Sequence, residues 1–188
     1  MTNLRSALER AVDELPAGLR DHVRRVVADA QRLARIHGVD VERATIAALG
    51  HDLARAEQPA ELVRQAEVAG LAIDDVERSQ PILLHGAVSA HLMAEGYAVT
   101  DAEVLAAARH HTTARAGMGA LEKLIFVADK TEPEKARGAL ELAEARRLAD
   151  GSLDAAMRAI LDWQVARAIE EGWPLHPDTI AARNELVG

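Results

Sequence analysis

The sequence predicts an all-α fold, and three observations support that prediction. Apolar residues recur at steps of three and four positions along almost the whole chain, which is the spacing of one face of a helix. No five-residue segment alternates apolar and polar positions with the Val, Ile or aromatic enrichment of a β-strand. Hydrophobic residues make up 49% of the chain but aromatic residues only 2%, so we expect closely packed helices around Leu, Ala, Val and Ile side chains.

The 188 residues suit one domain, which we expect to span residues 1–188 with its core at about 17–187. Start and stop signals occur in order along it: Gly38 ends the second helix, Asp40 caps the third and Pro59 opens the fourth. These signals and the periodicity predict ten helices, at residues 3–14, 17–37, 40–54, 59–70, 82–95, 101–111, 119–130, 138–149, 152–171 and 177–186. Loops are predicted at 70–75, 95–101, 112–119, 131–138 and 172–178.

The charge balance narrows the classes of partner. With 30 acidic and 22 basic residues the net charge is −8, which argues against a nucleic-acid surface and against adhesion to an anionic membrane. The absence of cysteine excludes disulfides and thiolate metal ligands. No apolar run approaches the ~20 residues of a membrane span, and the charged N-terminus lacks the pattern of a signal peptide. We therefore expect a soluble, cytoplasmic protein.

Histidine and aspartate side chains form the most informative pattern. The segment ALGHDLAR places His51 beside Asp52 in an apolar helical stretch, where burial of both requires partners for each. Four more such side chains lie at the edges of apolar stripes on four other predicted helices: His22, His85, His111 and Asp129. Singly, each suits a half-buried structural histidine or a carboxylate that caps a turn. Five helices that each present a nitrogen or oxygen donor favour one shared site.

The donor types indicate a metal. Neutral imidazoles and carboxylates suit a borderline divalent ion such as iron, manganese, zinc, cobalt or nickel, whereas magnesium and calcium prefer all-oxygen ligands. We predict that one ion binds four side chains: His22, His51, Asp52 and Asp129. His85 and His111 either hold a second ion or hydrogen-bond phosphate oxygens, and the sequence does not choose between these alternatives.

The order His, His-Asp, His, His, Asp resembles that of the HD-domain metal-dependent phosphohydrolases. More narrowly, the chain is similar to the YqeK-type bis(5′-nucleosyl)-tetraphosphatases, which cut symmetrically. Four segments carry the resemblance: IAALGHDLAR (46–55), LLHGAVSAHL (83–92), RHHTTARAGMGALEKLIFVAD (109–129) and PLHPDT (174–179). The third is the most specific, and the pattern as a whole covers residues 22 to about 184.

The resemblance implies an HD-type helical bundle around a buried metal site with one or two divalent ions, iron being the first expectation. It implies hydrolysis of diadenosine tetraphosphate to two ADP by a metal-activated water. The family's metal ligands fall on His22, His51, Asp52 and Asp129. Its catalytic positions fall on Asp52, His85 and His111. The partner is then a small nucleotide, with no nucleic acid or membrane involved, and a homodimer remains open.

Substrate contacts are predicted for polar and basic side chains around the metal set. Arg115 is the first choice for clamping phosphates, because a guanidinium binds them through two parallel hydrogen bonds. The complete predicted substrate-binding set is Arg20, Arg55, His85, His111, Arg115, Lys123, Lys135 and His176.

The chain also departs from the family pattern. The segment ARAGM at 114–118 stands where the family usually has GRPGM, and Lys130 and Thr131 stand in place of Tyr-Ile. Lys135 occupies a position that is usually Arg. Because the metal set is intact, these departures bear on nucleotide preference and affinity more than on catalysis.

Two other functions remain open from the sequence. The nearer one is a different HD-domain phosphohydrolase, which acts on nucleoside monophosphates or other phosphate esters through the same ions. The further one is a non-catalytic nucleotide-binding module, for which a complete set of six ligand positions is not needed. Release of two equal ADP products from diadenosine tetraphosphate would favour the symmetrical tetraphosphatase over both alternatives.

Overall fold

The computed structural model describes residues 2–187, which contain no β-strand. Their helices are α1 (Thr2–Glu14), α2 (Ala17–His37), α3 (Val41–Gly50), α4 (Pro59–Val68), α5 (Asp75–Ser79), α6 (His85–Tyr97), α7 (Ala102–His110), α8 (Ala120–Thr131), α9 (Pro133–Gly138), α10 (Leu140–Leu148), α11 (Leu153–Glu171) and α12 (Pro177–Glu185). A 3₁₀ turn at Pro81–Leu84 precedes α6. The predicted all-α class is confirmed. None of these helices combines the length and the apolar character needed to cross a bilayer.

Helix α8 lies at the centre of the bundle. Its sequence, ALEKLIFVADKT, is apolar on nearly every face, and a helix of that kind is stable only when other helices surround it. It packs against six of them: α2, α3, α7, α9, α10 and α11. Leu124, Ile125 and Phe126 are fully buried there, and Asp129 follows in the last turn at 3% exposure. The packing of the core therefore places a carboxylate in the interior.

Local signals set the ends of the helices around α8, as the sequence predicts. Gly38 ends α2 in the left-handed conformation, with φ of 68°. The Asp40 side chain accepts a hydrogen bond of 2.9 Å from the backbone N–H of Arg43 and so caps α3. Asp101 caps α7 in the same manner. These caps fix the turns through which α2, α3 and α7 reach their places beside α8.

Two of the predicted loops are wrong in part, because they contain short helices. The predicted loop 70–75 runs into α5, and the predicted loop 131–138 contains α9. Capping stabilises both: Asp74 and Glu77 form a capping box, and the Glu132 side chain accepts a hydrogen bond from the first turn of α9. Helices of five and six residues are too short for apolar periodicity to reveal them.

Helix α3 is also shorter than predicted. It ends at Gly50 rather than four residues later, and residues 51–56 continue as turns closed by hydrogen bonds between residues three apart. The His51 ring contributes to this ending, because its Nδ1 atom donates a hydrogen bond of 2.7 Å to the Ala48 carbonyl oxygen. His51 and Asp52 therefore lie just beyond a helix end, and both are buried.

Helices α6 and α7 approach closely at Gly86. A Cβ atom at this position would lie 2.6 Å from the Arg109 carbonyl oxygen and 3.1 Å from that of Ala108, and these backbone atoms cannot rotate away. The missing side chain therefore sets the spacing between two elements that each carry a buried histidine, His85 at the start of α6 and His111 at the end of α7.

We expect Gly86→Ala to push α6 away from α7. The free energy of unfolding should fall by about 1–3 kcal/mol, as for other overpacked sites. The matched control is Gly96→Ala in the same helix, where a Cβ meets nothing within 4 Å; it should stabilise the protein by up to about 1 kcal/mol. Urea unfolding that gives the same change for both variants would contradict the close approach.

Candidate metal centre

Three buried histidines share one local arrangement. The Nδ1 atoms of His51 and His111 each donate a hydrogen bond of 2.7 Å to the carbonyl oxygen three residues earlier, and His85 does the same with Ile82. Since a carbonyl oxygen can only accept, each neutral ring carries its hydrogen on Nδ1 and keeps the Nε2 lone pair free. The backbone thus selects the tautomer that binds metal through Nε2.

A first donor cluster joins α2, α8 and the turn after α3. Its atoms are His22 Nε2, His51 Nε2, Asp52 Oδ2 and Asp129 Oδ1. His22 Nε2 lies 3.0 Å from Asp129 Oδ1 and 3.7 Å from Asp52 Oδ2. His51 Nε2 lies 3.6 Å from Asp52 Oδ2 and 3.9 Å from Asp129 Oδ1. All four side chains are buried, so these atoms face one another rather than solvent.

A second donor cluster uses the other oxygen of Asp52. Asp52 Oδ1 lies 3.1 Å from His85 Nε2 and 3.3 Å from His111 Nε2, and the two nitrogen atoms are 3.0 Å apart. With neutral rings in the tautomer described above, no ring hydrogen lies between these three electron-pair donors, and the Thr112 hydroxyl, 3.2 Å from each Nε2 atom, can donate to only one of them. Such a buried arrangement is unfavourable unless a cation joins it. Asp52 is the residue that the two clusters share.

The donor set fits a divalent metal. His51 Nε2 and Asp52 Oδ1 are buried and have no hydrogen-bond partner within the described part of the chain. Buried polar atoms nearly always have a partner, and ligation would supply one here. Nitrogen and carboxylate donors together suit iron, manganese, cobalt, nickel or zinc. The cluster is therefore a candidate divalent-metal site, as the sequence predicts.

Burial keeps two histidines of the clusters, His51 and His111, neutral near pH 7. It lowers the pKa of His51 and lowers the pKa of His111 to about 4, because a buried imidazolium loses its hydration. Burial alone would raise the pKa of Asp129, but the ammonium groups of Lys130 and Lys135 hold it well below its usual value. His51 and His111 thus present unprotonated rings and Asp129 a charged carboxylate, which are the forms that bind metal.

Glu132 orients His22 from outside the first cluster. Its Oε1 atom accepts a hydrogen bond of 3.3 Å from His22 Nδ1, while the Arg25 guanidinium binds the carboxylate at 2.6 and 3.2 Å. This pairing directs His22 Nε2 toward Asp129. The sequence pattern does not predict this role, although a carboxylate three residues after Asp129 is a usable signal.

Two lysines lie beside the same aspartate. Lys135 Nζ is 2.6 Å from Asp129 Oδ1. Lys130 Nζ is 2.5 Å from Asp129 Oδ2 and also donates a hydrogen bond of 3.0 Å to the His111 carbonyl oxygen. Lys135 belongs to the predicted substrate-binding set, whereas Lys130 does not. The sequence offers one indication for Lys130: it directly follows Asp129, at a position where the family usually has tyrosine.

Two adjoining cavities lie over the second donor cluster. The smaller has a volume of about 170 Å³ and is lined by that cluster and by three cations: Arg55, Lys130 and Lys135. The larger has a volume of about 680 Å³, shares the three cations and extends to α11 and the segment before α12. Small-molecule sites commonly occupy ~300–1,000 Å³, so the larger cavity has room for a nucleotide.

The four predicted metal ligands meet in this centre with His85 and His111, and some of the other predicted substrate-binding residues lie beside it. Arg55 and Lys135 line both cavities, and Arg55 forms no ion pair with any residue between 4 and 187. His176 lines the larger cavity, and its Nε2 atom lies 2.9 Å from Asp74 Oδ2.

Three other members of that predicted set lie away from both cavities. The Arg115 guanidinium binds the buried Glu122 through two hydrogen bonds of 2.9 and 2.8 Å. Lys123 Nζ lies 2.6 Å from Asp154 Oδ1, an ion pair that joins α8 to α11. Arg20 lies 3.5 Å from the aspartate that follows it. The structure therefore does not bring these cations to the cluster.

The far end of the larger cavity is aromatic, which the sequence pattern does not predict. Trp163 and Trp173, the two tryptophans of the chain, line it together with Gln164 and Arg167. Trp163 lies in α11, whereas Trp173 lies in the predicted loop 172–178, so helical periodicity cannot relate them. The available signal is their rarity, since aromatic residues make up only 2% of the chain.

The chain is similar to known proteins over most of its length. A family model described as HD domain matches residues 19–134, a stretch that contains all six donor residues. A protein named bis(5′-nucleosyl)-tetraphosphatase, symmetrical, from Halalkalibacterium halodurans is 31% identical over 188 residues, which cover 98% of this chain and 97% of that one. Its namesake from Bacillus subtilis is 32% identical over 169 residues, 88% of each chain.

A solved structure extends the likeness to three dimensions. It is the crystal structure of a protein from Clostridium acetobutylicum described as a predicted HD superfamily hydrolase involved in NAD metabolism. Its TM-score with this chain is 0.92 at 32% sequence identity, over 97% of this chain and 96% of that one. Family model, relatives and structure agree over most or nearly all of the length, and the chain belongs to the HD-domain family.

Proposed function

We propose that this protein hydrolyses dinucleoside tetraphosphates symmetrically, converting diadenosine tetraphosphate to two ADP. The observation that carries the proposal is the position of three cations, which line both the small cavity over the metal centre and the larger cavity beside it. A polyphosphate that extends from the centre into the larger cavity would contact all three. The names of the relatives from Halalkalibacterium halodurans and Bacillus subtilis support the same reaction.

The donor geometry supports two divalent ions, with one carboxylate oxygen of Asp52 given to each. The first ion would bind four side chains: His22, His51, Asp52 and Asp129. The second would bind Asp52, His85 and His111. Iron is our first expectation, with manganese, cobalt, nickel and zinc as alternatives. When bound, the ions would lower the pKa of a coordinated water molecule. Their positive charge would offset the negative charge of the phosphates.

The side chains of the cavities bind and orient the phosphates. Arg55, which has no ion pair within residues 4–187, is free to clamp two phosphate oxygens through its guanidinium. Lys130 is held in place by Asp129 and by the His111 carbonyl oxygen, so its charge is fixed beside the reacting phosphorus. Lys135 has a side chain that is 40% exposed and can follow the polyphosphate chain.

Symmetrical cleavage requires a phosphorus next to the central bridging oxygen to lie over the donor clusters. A water oxygen forms the new bond to this phosphorus, and the bond from phosphorus to the central bridging oxygen breaks. The leaving diphosphate keeps that oxygen, and the water's proton passes to it or to solvent. Each product is ADP, and one of the two halves occupies the larger cavity.

Product analysis tests the proposed reaction. Protein loaded with Fe²⁺ or Mn²⁺ should convert diadenosine tetraphosphate to ADP alone, as measured by anion-exchange chromatography. ATP together with AMP would contradict symmetrical cleavage. Faster turnover of nucleoside monophosphates or simple phosphate esters would instead establish a different HD-domain phosphohydrolase. Binding of nucleotides without turnover of any substrate would establish a non-catalytic module.

Asp52→Asn should remove metal from both clusters, because the amide carries no charge and has only one oxygen. The loss of activity should exceed the 10–100-fold that is typical of residues that merely support a metal ligand. Circular dichroism should show unchanged helix content. The matched control is Asp21→Asn, which replaces a side chain that is 54% exposed. Wild-type metal content in Asp52→Asn would refute the shared-ligand assignment.

Arg55→Ala should weaken substrate binding without loss of metal. Removing a hydrogen bond to a charged phosphate corresponds to a rise in KM of about 10–100-fold. The matched control is Arg64→Ala, whose guanidinium is 62% exposed and paired with Glu61. Steady-state kinetics with parallel elemental analysis give both quantities, and an unchanged KM would remove Arg55 from the phosphate site.

A further inference from the structure

The far end of the larger cavity is lined by aromatic side chains that the proposed phosphate binding does not use. Trp163 and Trp173 form an aromatic wall together with Arg167, whose guanidinium carbon lies 5.7 Å from the first ring centroid and 5.6 Å from the second. Trp173 is 50% exposed. Arg167 is exposed and forms no ion pair with residues 4–187, and its guanidinium lies over both indole rings at the wall of the cavity.

A polar group without a partner lies beside this wall. Gln164 lines the same cavity region, and its Oε1 atom is buried and accepts no hydrogen bond from the described residues. An unsatisfied buried amide oxygen is unfavourable, and native structures contain few of them. The contacts of Arg167 with the two tryptophans do not explain this unmet acceptor.

The two ends of the cavity have complementary chemistry. Arg55, Lys130 and Lys135 give one end positive charge, and the aromatic wall with Gln164 gives the other end a stacking surface and an amide. A nucleoside diphosphate has the same polarity, with an anionic chain at one end and a flat base at the other. Aromatic side chains stack on any of the bases, so the amide must supply the selectivity for one base.

We infer that Trp163, Trp173 and Arg167 stack the base of one nucleotide half and that Gln164 reads its edge as adenine. A glutamine amide presents an acceptor beside a donor, and adenine presents the 6-amino donor beside a ring-nitrogen acceptor. The Gln164 Oε1 atom then accepts from the 6-amino group. This inference rests on the proposed function for its ligand, a nucleotide, and adds the residues that select the base.

The two tryptophans make the subsite directly observable, because all the indole fluorescence of the protein comes from the aromatic wall. The metal-loaded protein is titrated with ADP and with purine riboside 5′-diphosphate, which lacks only the 6-amino group. We expect ADP to quench the fluorescence and to bind about 10-fold more tightly than the analogue, the effect of one well-made hydrogen bond. Equal affinities for the two ligands, or no quenching by saturating ADP, would overturn the inference.

Gln164→Met keeps the length of the side chain but removes the acceptor. It should bind ADP about 10-fold more weakly and lose the preference over the analogue. The melting temperature should stay the same, as should metal content. The matched control is Gln58→Met, at an exposed position outside both cavities, which should keep the preference. Retained preference in Gln164→Met would overturn the reading of the 6-amino group.

Trp173→Leu tests stacking separately, and its exposed position makes a folded variant the expected result. ADP affinity should fall about 10-fold, a typical effect of removing one base-stacking aromatic. Failure of the subsite and failure of the proposed function give different results. ADP produced from diadenosine tetraphosphate without any base preference contradicts the subsite alone. ADP binding with the expected preference but no hydrolysis contradicts the reaction alone.

Discussion

The carboxylate of Asp52 joins the two donor clusters. One of its oxygens faces the rings of His22 and His51, and the other faces those of His85 and His111. Buried lone pairs that converge in this way oppose folding unless positive charge joins them. The apolar packing around α8 holds these groups together, and metal binding would convert their mutual repulsion into ligation. Metal affinity and folding stability would therefore be coupled.

The backbone prepares the donors before any ligand arrives. Three carbonyl oxygens at helix ends and turns accept the Nδ1–H groups of His51, His85 and His111. These hydrogen bonds fix the tautomer of each ring. The close approach of α6 to α7 at Gly86 then determines how far apart two of those rings lie.

Much of the arrangement is predictable from sequence, for a physical reason. Helical phase relates residues within one helix, so it correctly predicts the all-α class and the inward-facing edges that carry the six donors. Helical phase does not predict contacts made through caps and loops, such as the cap that Glu132 forms on α9. It also does not predict the position of Trp173, which lies in a loop. It also cannot show that a cation is already paired, as Arg115 is with Glu122. Ligation itself remains the proposal made above.

In the proposed centre, two ions flank Asp52. Anomalous diffraction from crystals of the metal-loaded protein, recorded at the absorption edge of the bound element, would locate them. We expect two peaks, each about 2.0–2.2 Å from a different oxygen of Asp52, the usual range for such ligands. One peak alone would contradict the pair of ions. No peak within ligand distance of these side chains, in protein that cleaves diadenosine tetraphosphate, would contradict the metal centre as a whole.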